Sequence, residues 1–220
     1  MFSARCALLL SGLCLLAACG PPPRAATSVA AAPSRESAPR EADEYTRYEL
    51  LDPGTAQFHI LYEVTSIEAG ATVFFNPIRK GSVASGESVR DQATGQPLRF
   101  EVVSGAEARA GGLPDAELDT HYIRVHLPRP VPKEGGVRLL IEKTYQDAKS
   151  YFRKSPDRIV FSRPLGIRRN SIVLPAGYEL VACNVPAQVL TGPDGRLAVS
   201  FMHTGPEAAP LVIEARRLGG

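Results

Sequence analysis

The 220-residue sequence predicts an all-β chain: an antiparallel β-sandwich of about twelve strands, one domain behind a disordered tether. Three observations predict it. Apolar residues recur with period two over most of the chain beyond residue 45, the spacing of half-buried strands. Turn-forming Gly, Pro, Asn and Asp clusters interrupt these runs at short intervals. Composition also changes abruptly near residue 44, from Pro, Ala and Ser to alternating aliphatic and polar residues.

Residues 1–18 have the make-up of a signal peptide. Arg5 supplies a positive charge, and Ala7 to Ala18 form a small and apolar run broken only by Ser11 and Gly12. A helix needs ~20 residues to cross a bilayer core, so this run is too short to span but suits a signal-peptide core. It ends in Leu16-Ala17-Ala18-Cys19-Gly20. That ending resembles the lipobox of bacterial lipoproteins. The resemblance implies cleavage before Cys19, acylation of its thiol and new amino group, and a membrane anchor through the acyl chains. Each buried CH₂ contributes about 0.8 kcal/mol, so two or three chains hold where one binds marginally. Gly20 stands where an Asp would favour inner-membrane retention. The expected location is therefore the cell envelope, on an outer membrane facing the periplasm.

Residues 19–44 combine the lipidated Cys19 with a Pro/Ala-rich stretch containing Pro21, Pro22, Pro23, Pro33 and Pro39. It offers too little apolar area to offset its ordering entropy and is expected to be a disordered tether. Its r.m.s. span would be roughly 25–30 Å.

The β-sandwich domain is expected over residues 45–218. Phe58, Ile60, Tyr62 and Val64 share one strand face. The segments Tyr122 to Leu127, Val137 to Glu142 and Arg196 to Phe201 alternate in the same way. Asp52-Pro53-Gly54, Ala93 to Pro97, Lys133 to Gly136 and Gly192 to Gly195 supply reversals. Ser104 to Asp119 reads as a long loop. Tyr145, Ala148 and Phe152 have helical spacing, which allows a short helix within Thr144 to Phe152.

The sequence carries no recognisable catalytic or metal-binding motif. There is no His-Glu-x-x-His, Gly-x-Ser-x-Gly, phosphate-binding P-loop or dinucleotide fingerprint. His121 and His126 stand an odd number of residues apart, so a strand would turn them to opposite faces. Asp194 is a lone turn aspartate rather than part of a calcium loop. With Cys6 and Cys14 in the signal segment and Cys19 lipidated, Cys183 is left as a small apolar residue without a disulfide partner. No catalytic residue, metal or cofactor is therefore expected. Charge is nearly balanced, 25 Lys+Arg against 23 Asp+Glu, which argues against nucleic acid as a partner. One basic run stands out, from Lys149 through Arg153, Lys154 and Arg158 to Arg163, Arg168 and Arg169. Arg163, Arg168 and Arg169 are its candidate binding residues, for anionic headgroups or an acidic partner.

Several stretches carry a family resemblance. They are Tyr48-Glu49-Leu50-Leu51, and Tyr122-Ile123-Arg124-Val125-His126-Leu127-Pro128 with Pro130 and Gly135-Gly136. Val137 to Tyr145, Ile172 to Leu180 and Cys183-Asn184-Val185-Pro186 complete the set. Together they resemble the N-terminal β-domain of M1-family metallopeptidases, a saddle-shaped antiparallel sandwich that precedes a catalytic domain. The family's zinc motif and its Gly-Ala-Met-Glu-Asn motif are missing, so no catalytic residue carries over. The resemblance implies the accessory fold alone on a lipid anchor. The expected function is a lipid-anchored, non-catalytic envelope protein that binds or scaffolds a protein or an anionic glycolipid. The alternatives are an accessory subunit of a peptidase or transport system, and a carboxylate-dependent hydrolase.

Overall fold

Two long strands form the spine of the molecule, and both follow directly from alternation. In the computed structural model, which describes residues 43–219, β1 (Glu44–Leu50) is followed by β2 (Gln57–Ser66), where Phe58, Ile60, Tyr62 and Val64 all turn inward. β7 (Val137–Gln146) repeats the pattern with Val137, Leu139, Ile141, Lys143 and Tyr145 inward. Residues 1–18, Cys19 and the tether up to residue 42 lie outside the described residues.

These strands centre a seven-stranded sheet. It also contains β4 (Val83–Asp91), β10 (Arg169–Val173), β12 (Gln188–Thr191) and β13 (Leu197–Met202), in the order β12-β13-β10-β1-β2-β7-β4. A four-stranded sheet, ordered β11-β14-β9-β8, is built from β8 (Tyr151–Ser155), β9 (Arg158–Leu165), β11 (Tyr178–Cys183) and β14 (Ala209–Arg217). A three-stranded sheet, ordered β3-β6-β5, holds β3 (Val73–Pro77), β5 (Phe100–Ser104) and β6 (His121–His126). Among the described residues all strand pairings are antiparallel except β1 with β10, which run parallel. The protein is thus mostly β, with fourteen strands among the described residues. The inner faces meet in one apolar core in which Phe161 of β9 packs edge-on against Phe58, with ring centroids 5.4 Å apart, and lies 5.6 Å from Tyr48.

Two local expectations are corrected. The segment from Thr144 to Phe152 contains no helix. Thr144 to Gln146 finish β7, a turn follows, and Tyr151 and Phe152 open β8. Pairing of β7 with both β2 and β4 satisfies its backbone over its length, which an isolated helical turn could not match. The helix lies instead in the stretch read as a loop: α1 (Gly105–Ala110). Ser104 caps it by accepting from the Glu107 amide at 3.3 Å, while the Glu107 carboxylate accepts from the Ser104 amide at 2.7 Å. That reciprocal pair is a capping box. Gly105 is obligatory by close approach, since a Cβ there would stand 2.0 Å from the Glu117 carbonyl oxygen. Val103, Ala108, Ala116 and Tyr122 give this corner its own small core.

Candidate functional site

The inward face of the seven-stranded sheet is not apolar throughout. Strand register places Tyr48, Ile60 and Lys143 in one row across β1, β2 and β7. Tyr62 and Thr46 pair two residues further along, on the same face. Over this patch lies a cavity of about 380 Å³. One side is formed by Asn76, Pro77 and Arg79 at the end of β3, and the other by Arg163, Pro164 and Leu165 of β9 with Gly166 and Ile167 beyond it. A volume of this size is within the range of small-molecule sites.

Three cations meet here. Lys143 is only 4% exposed, and its Nζ donates to Asn76 Oδ1. Burial pushes its ammonium down to about 8, aided by the neighbouring Arg163 charge and opposed by Glu87. Arg163 is 5% exposed and pairs with Asp147 at 3.3 Å. Its guanidinium also faces the rings of Phe58 and Tyr145 at 5.4 Å and of Tyr48 at 6.0 Å, an arrangement that favours a partly desolvated cation. Arg79 is half-buried. It ties the three-stranded sheet to the rest of the site: its amide donates to the Tyr145 hydroxyl at 3.1 Å and its Nη1 to the Pro164 carbonyl at 3.1 Å.

The charge is incompletely matched. Asp147 faces Arg163, but it also accepts from the Ser150 hydroxyl at 2.7 Å and the Ser82 hydroxyl at 3.2 Å. Among the described residues neither Arg79 nor Lys143 is in an ion pair. Glu44 is held by the Tyr62 hydroxyl at 2.7 Å. Burial raises the phenols of Tyr48, Tyr62 and Tyr145, so all three are neutral. Thr46, also lining the cavity, is 3% exposed, and its Oγ1 has no hydrogen-bond partner among the described residues. Such a group costs about 1–3 kcal/mol when left unmet. Two cations outside any ion pair and an unpartnered hydroxyl around one open volume can receive an anion.

Two other cavities differ in kind. One of about 450 Å³, beside β3 and the end of β2, offers Glu44 and Glu68 as its charged residues. One of about 320 Å³ is flanked by Lys80, whose ammonium sits 2.7 Å from both Glu117 and Asp119. Among the described residues no group of three or more His, Cys, Asp or Glu is placed to hold a metal.

The three arginines expected to form one patch are separated. Arg163 is interior and lines the cavity. Arg169, on β10, is exposed, pairs with Asp43, and donates its Nε to the Glu44 carbonyl at 3.1 Å. Arg168 is exposed beside it, next to the start of β10. The rest of the basic run is largely neutralised on the surface: Arg153 lies 3.6 Å from Asp52, and Lys154 and Arg158 share Glu214 at 2.9 and 2.7 Å. Exposed pairs of this kind contribute little to stability. Cys183 is half-buried and its thiol donates to the Val185 carbonyl.

Lys143 and Arg79 are the site residues that motif searching does not reach. For Lys143 a signal exists. Continuing the alternation Val137, Leu139, Ile141 by one step puts residue 143 inward. The same step from Ile159 and Phe161 puts Arg163 inward. Arg79 has no such signal, because it follows a strand end.

Comparison with known proteins gives a fold-level likeness only. No family model matches the chain, and no curated protein matches it. Among solved structures, it is similar to part of an M1 zinc metallopeptidase from Deinococcus radiodurans, with a TM-score of 0.48 and 14% identity over 80% of this chain and 42% of that one. A mutant of that enzyme bound to a Tyr-Ser-Ala substrate gives 0.46 and 14%, covering 80% and 43%. The chain therefore spans less than half the length of the solved enzymes it resembles.

Proposed function

We propose that this chain is a lipid-anchored binding protein of a bacterial envelope, and that its folded domain receives an anionic group of its ligand in the cavity between Arg79, Lys143 and Arg163. One observation carries the binding half: two of the three cations around an open cavity lack an ion-pair partner among the described residues. Keeping such charges inside a fold is costly. An anion that enters supplies the missing counter-charge, and the low-dielectric wall strengthens the attraction relative to water. Binding rather than turnover fits a sequence with no zinc-peptidase, nucleophile-elbow or nucleotide-binding motif. The glycolipid expected from sequence is one kind of molecule with such an anionic group.

The anchoring half rests on Leu16 to Cys19. Cys19→Ala should abolish incorporation of labelled palmitate and release the protein from membranes. Undiminished palmitate labelling of that variant would refute the anchor. The binding half is tested by calorimetric titration of the purified full-length protein with inorganic phosphate at low salt and pH 7. Saturable binding, weakened at least ~10-fold in Lys143→Gln, is expected, since a charged hydrogen bond is worth about 1.5–3 kcal/mol. Equal affinity in the variant would refute this site.

A further inference from the structure

We infer that the ligand is an amphiphilic oxyanion: a phosphate group on a compact apolar body, the phosphate held by Arg79 and Lys143 and the body seated against Ile60, Leu165 and Ile167. The inference rests on the anion-binding reading above and adds what the rest of the ligand must be. Only part of the cavity is cationic. Ile60, Pro77, Pro164, Leu165 and Ile167 line it together with Tyr48, Tyr62 and Tyr145. A bare inorganic anion would leave that apolar wall in contact with water, whereas an apolar body would displace the water and gain its burial energy.

The charge count selects the head. Arg163 already has Asp147, which leaves Arg79 and Lys143 to be answered. Two cations match the nearly two charges that a phosphomonoester carries near neutral pH. Thr46 Oγ1, buried and unpartnered, adds a hydroxyl with a hydrogen bond to give. At ~30 Å³ per water-sized group, the volume admits roughly a dozen non-hydrogen atoms. That is enough for a phosphate and a ring or short chain. A longer hydrocarbon would have to leave by the cavity mouth.

The ligand could derive from a lipid phosphate headgroup or from a small soluble phosphate ester, and the test separates the two. Phenyl phosphate, inorganic phosphate, phenol and farnesyl phosphate are titrated into the full-length protein in the same detergent. Phenyl phosphate is expected to bind at least ~10-fold more tightly than inorganic phosphate and at least ~10-fold more tightly than phenol. The margin over phenol should be lost in Lys143→Gln and in Arg79→Gln, which weaken both phosphates alike, while the margin over inorganic phosphate, set by the apolar wall, should remain. The second variant changes a half-buried side chain, so the test survives if the first does not fold. Farnesyl phosphate tighter than phenyl phosphate would support the proposal with a lipid source. Farnesyl phosphate rejected while phenyl phosphate binds would support it with a small soluble ester. Equal affinity for phenyl phosphate and inorganic phosphate would overturn the amphiphile and leave the anion site standing. Phenol binding as tightly as phenyl phosphate, or no binding of any probe, would overturn both.

Discussion

Lys143→Met is expected to make the protein more stable at pH 7 while weakening anion binding at least ~10-fold. Lys143 falls from the ordinary 10.5 to about 8 on folding, a shift equivalent to roughly 3 kcal/mol of cost at neutral pH. Methionine removes that cost and keeps the apolar stem. It also deprives Asn76 Oδ1 of its donor, which returns about 1–3 kcal/mol of penalty. The expected net is a gain of about 1 kcal/mol, or about 2–4 °C in melting temperature for a domain of this size. The sign reverses with pH in a defined window. Below pH 8 both folded and unfolded chains hold the proton and the full cost is present. Between 8 and 10.5 only the unfolded chain holds it, so wild-type stability rises with pH. Above 10.5 the cost is gone and the variant should be the less stable of the two. Thermal melts of both proteins at pH 7 and pH 10.5 check this. A variant less stable by more than 2 °C at pH 7 would mean that Lys143 is structural rather than held in readiness for a ligand.

The opposite response is expected at Arg163. Arg163→Ala should destabilise the domain by about 3–5 kcal/mol, the usual consequence of removing one partner from a buried ion pair. The two side chains are 5% and 7% exposed. The change also empties the space between the rings of Tyr48, Phe58 and Tyr145 that the guanidinium now occupies. Chemical denaturation would read the loss directly. Arg163→Met combined with Asp147→Asn should recover most of it, because no uncompensated charge then remains. If Arg163→Ala costs less than 1 kcal/mol, Arg163 is not a wall of the cavity but a mobile surface cation.

The contrast shows what period-two patterning makes legible and what it hides. In β2 and β7 every inward position is readable from spacing, and that spacing includes Lys143 in a row that is otherwise apolar or aromatic. Hydrophobicity alone places a lysine outside; position in the strand places it inside, and the pleat decides. The basic run misleads for the same reason. Arg163 belongs to the inward set of β9, whereas Arg153, Lys154 and Arg158 face carboxylates on the surface. Proximity in sequence therefore did not mean one patch. The capping box at Ser104 and Glu107 is a local signal and could have revealed α1. Helical spacing of Tyr145, Ala148 and Phe152 was outweighed by backbone pairing on both sides of β7, a non-local effect. The parallel pairing of β1 with β10 joins residues more than a hundred positions apart and leaves no mark in either strand.

If Lys143 meets an anion in the cavity, the pH dependence of phosphate affinity reads that contact most directly. Between pH 7.5 and 9.5 burial keeps the phenols of Tyr48, Tyr62 and Tyr145 neutral, and Asp147 stays anionic because its hydrogen bonds from Ser150 and Ser82 outweigh its burial. Bound phosphate stabilises protonated Lys143, so affinity should fall by up to ~10-fold per pH unit above about 8, one proton being linked to binding. In Lys143→Gln the residual affinity should be flat across the same range. A wild-type affinity that does not change from pH 7.5 to 9.5 would contradict contact between Lys143 and the bound anion.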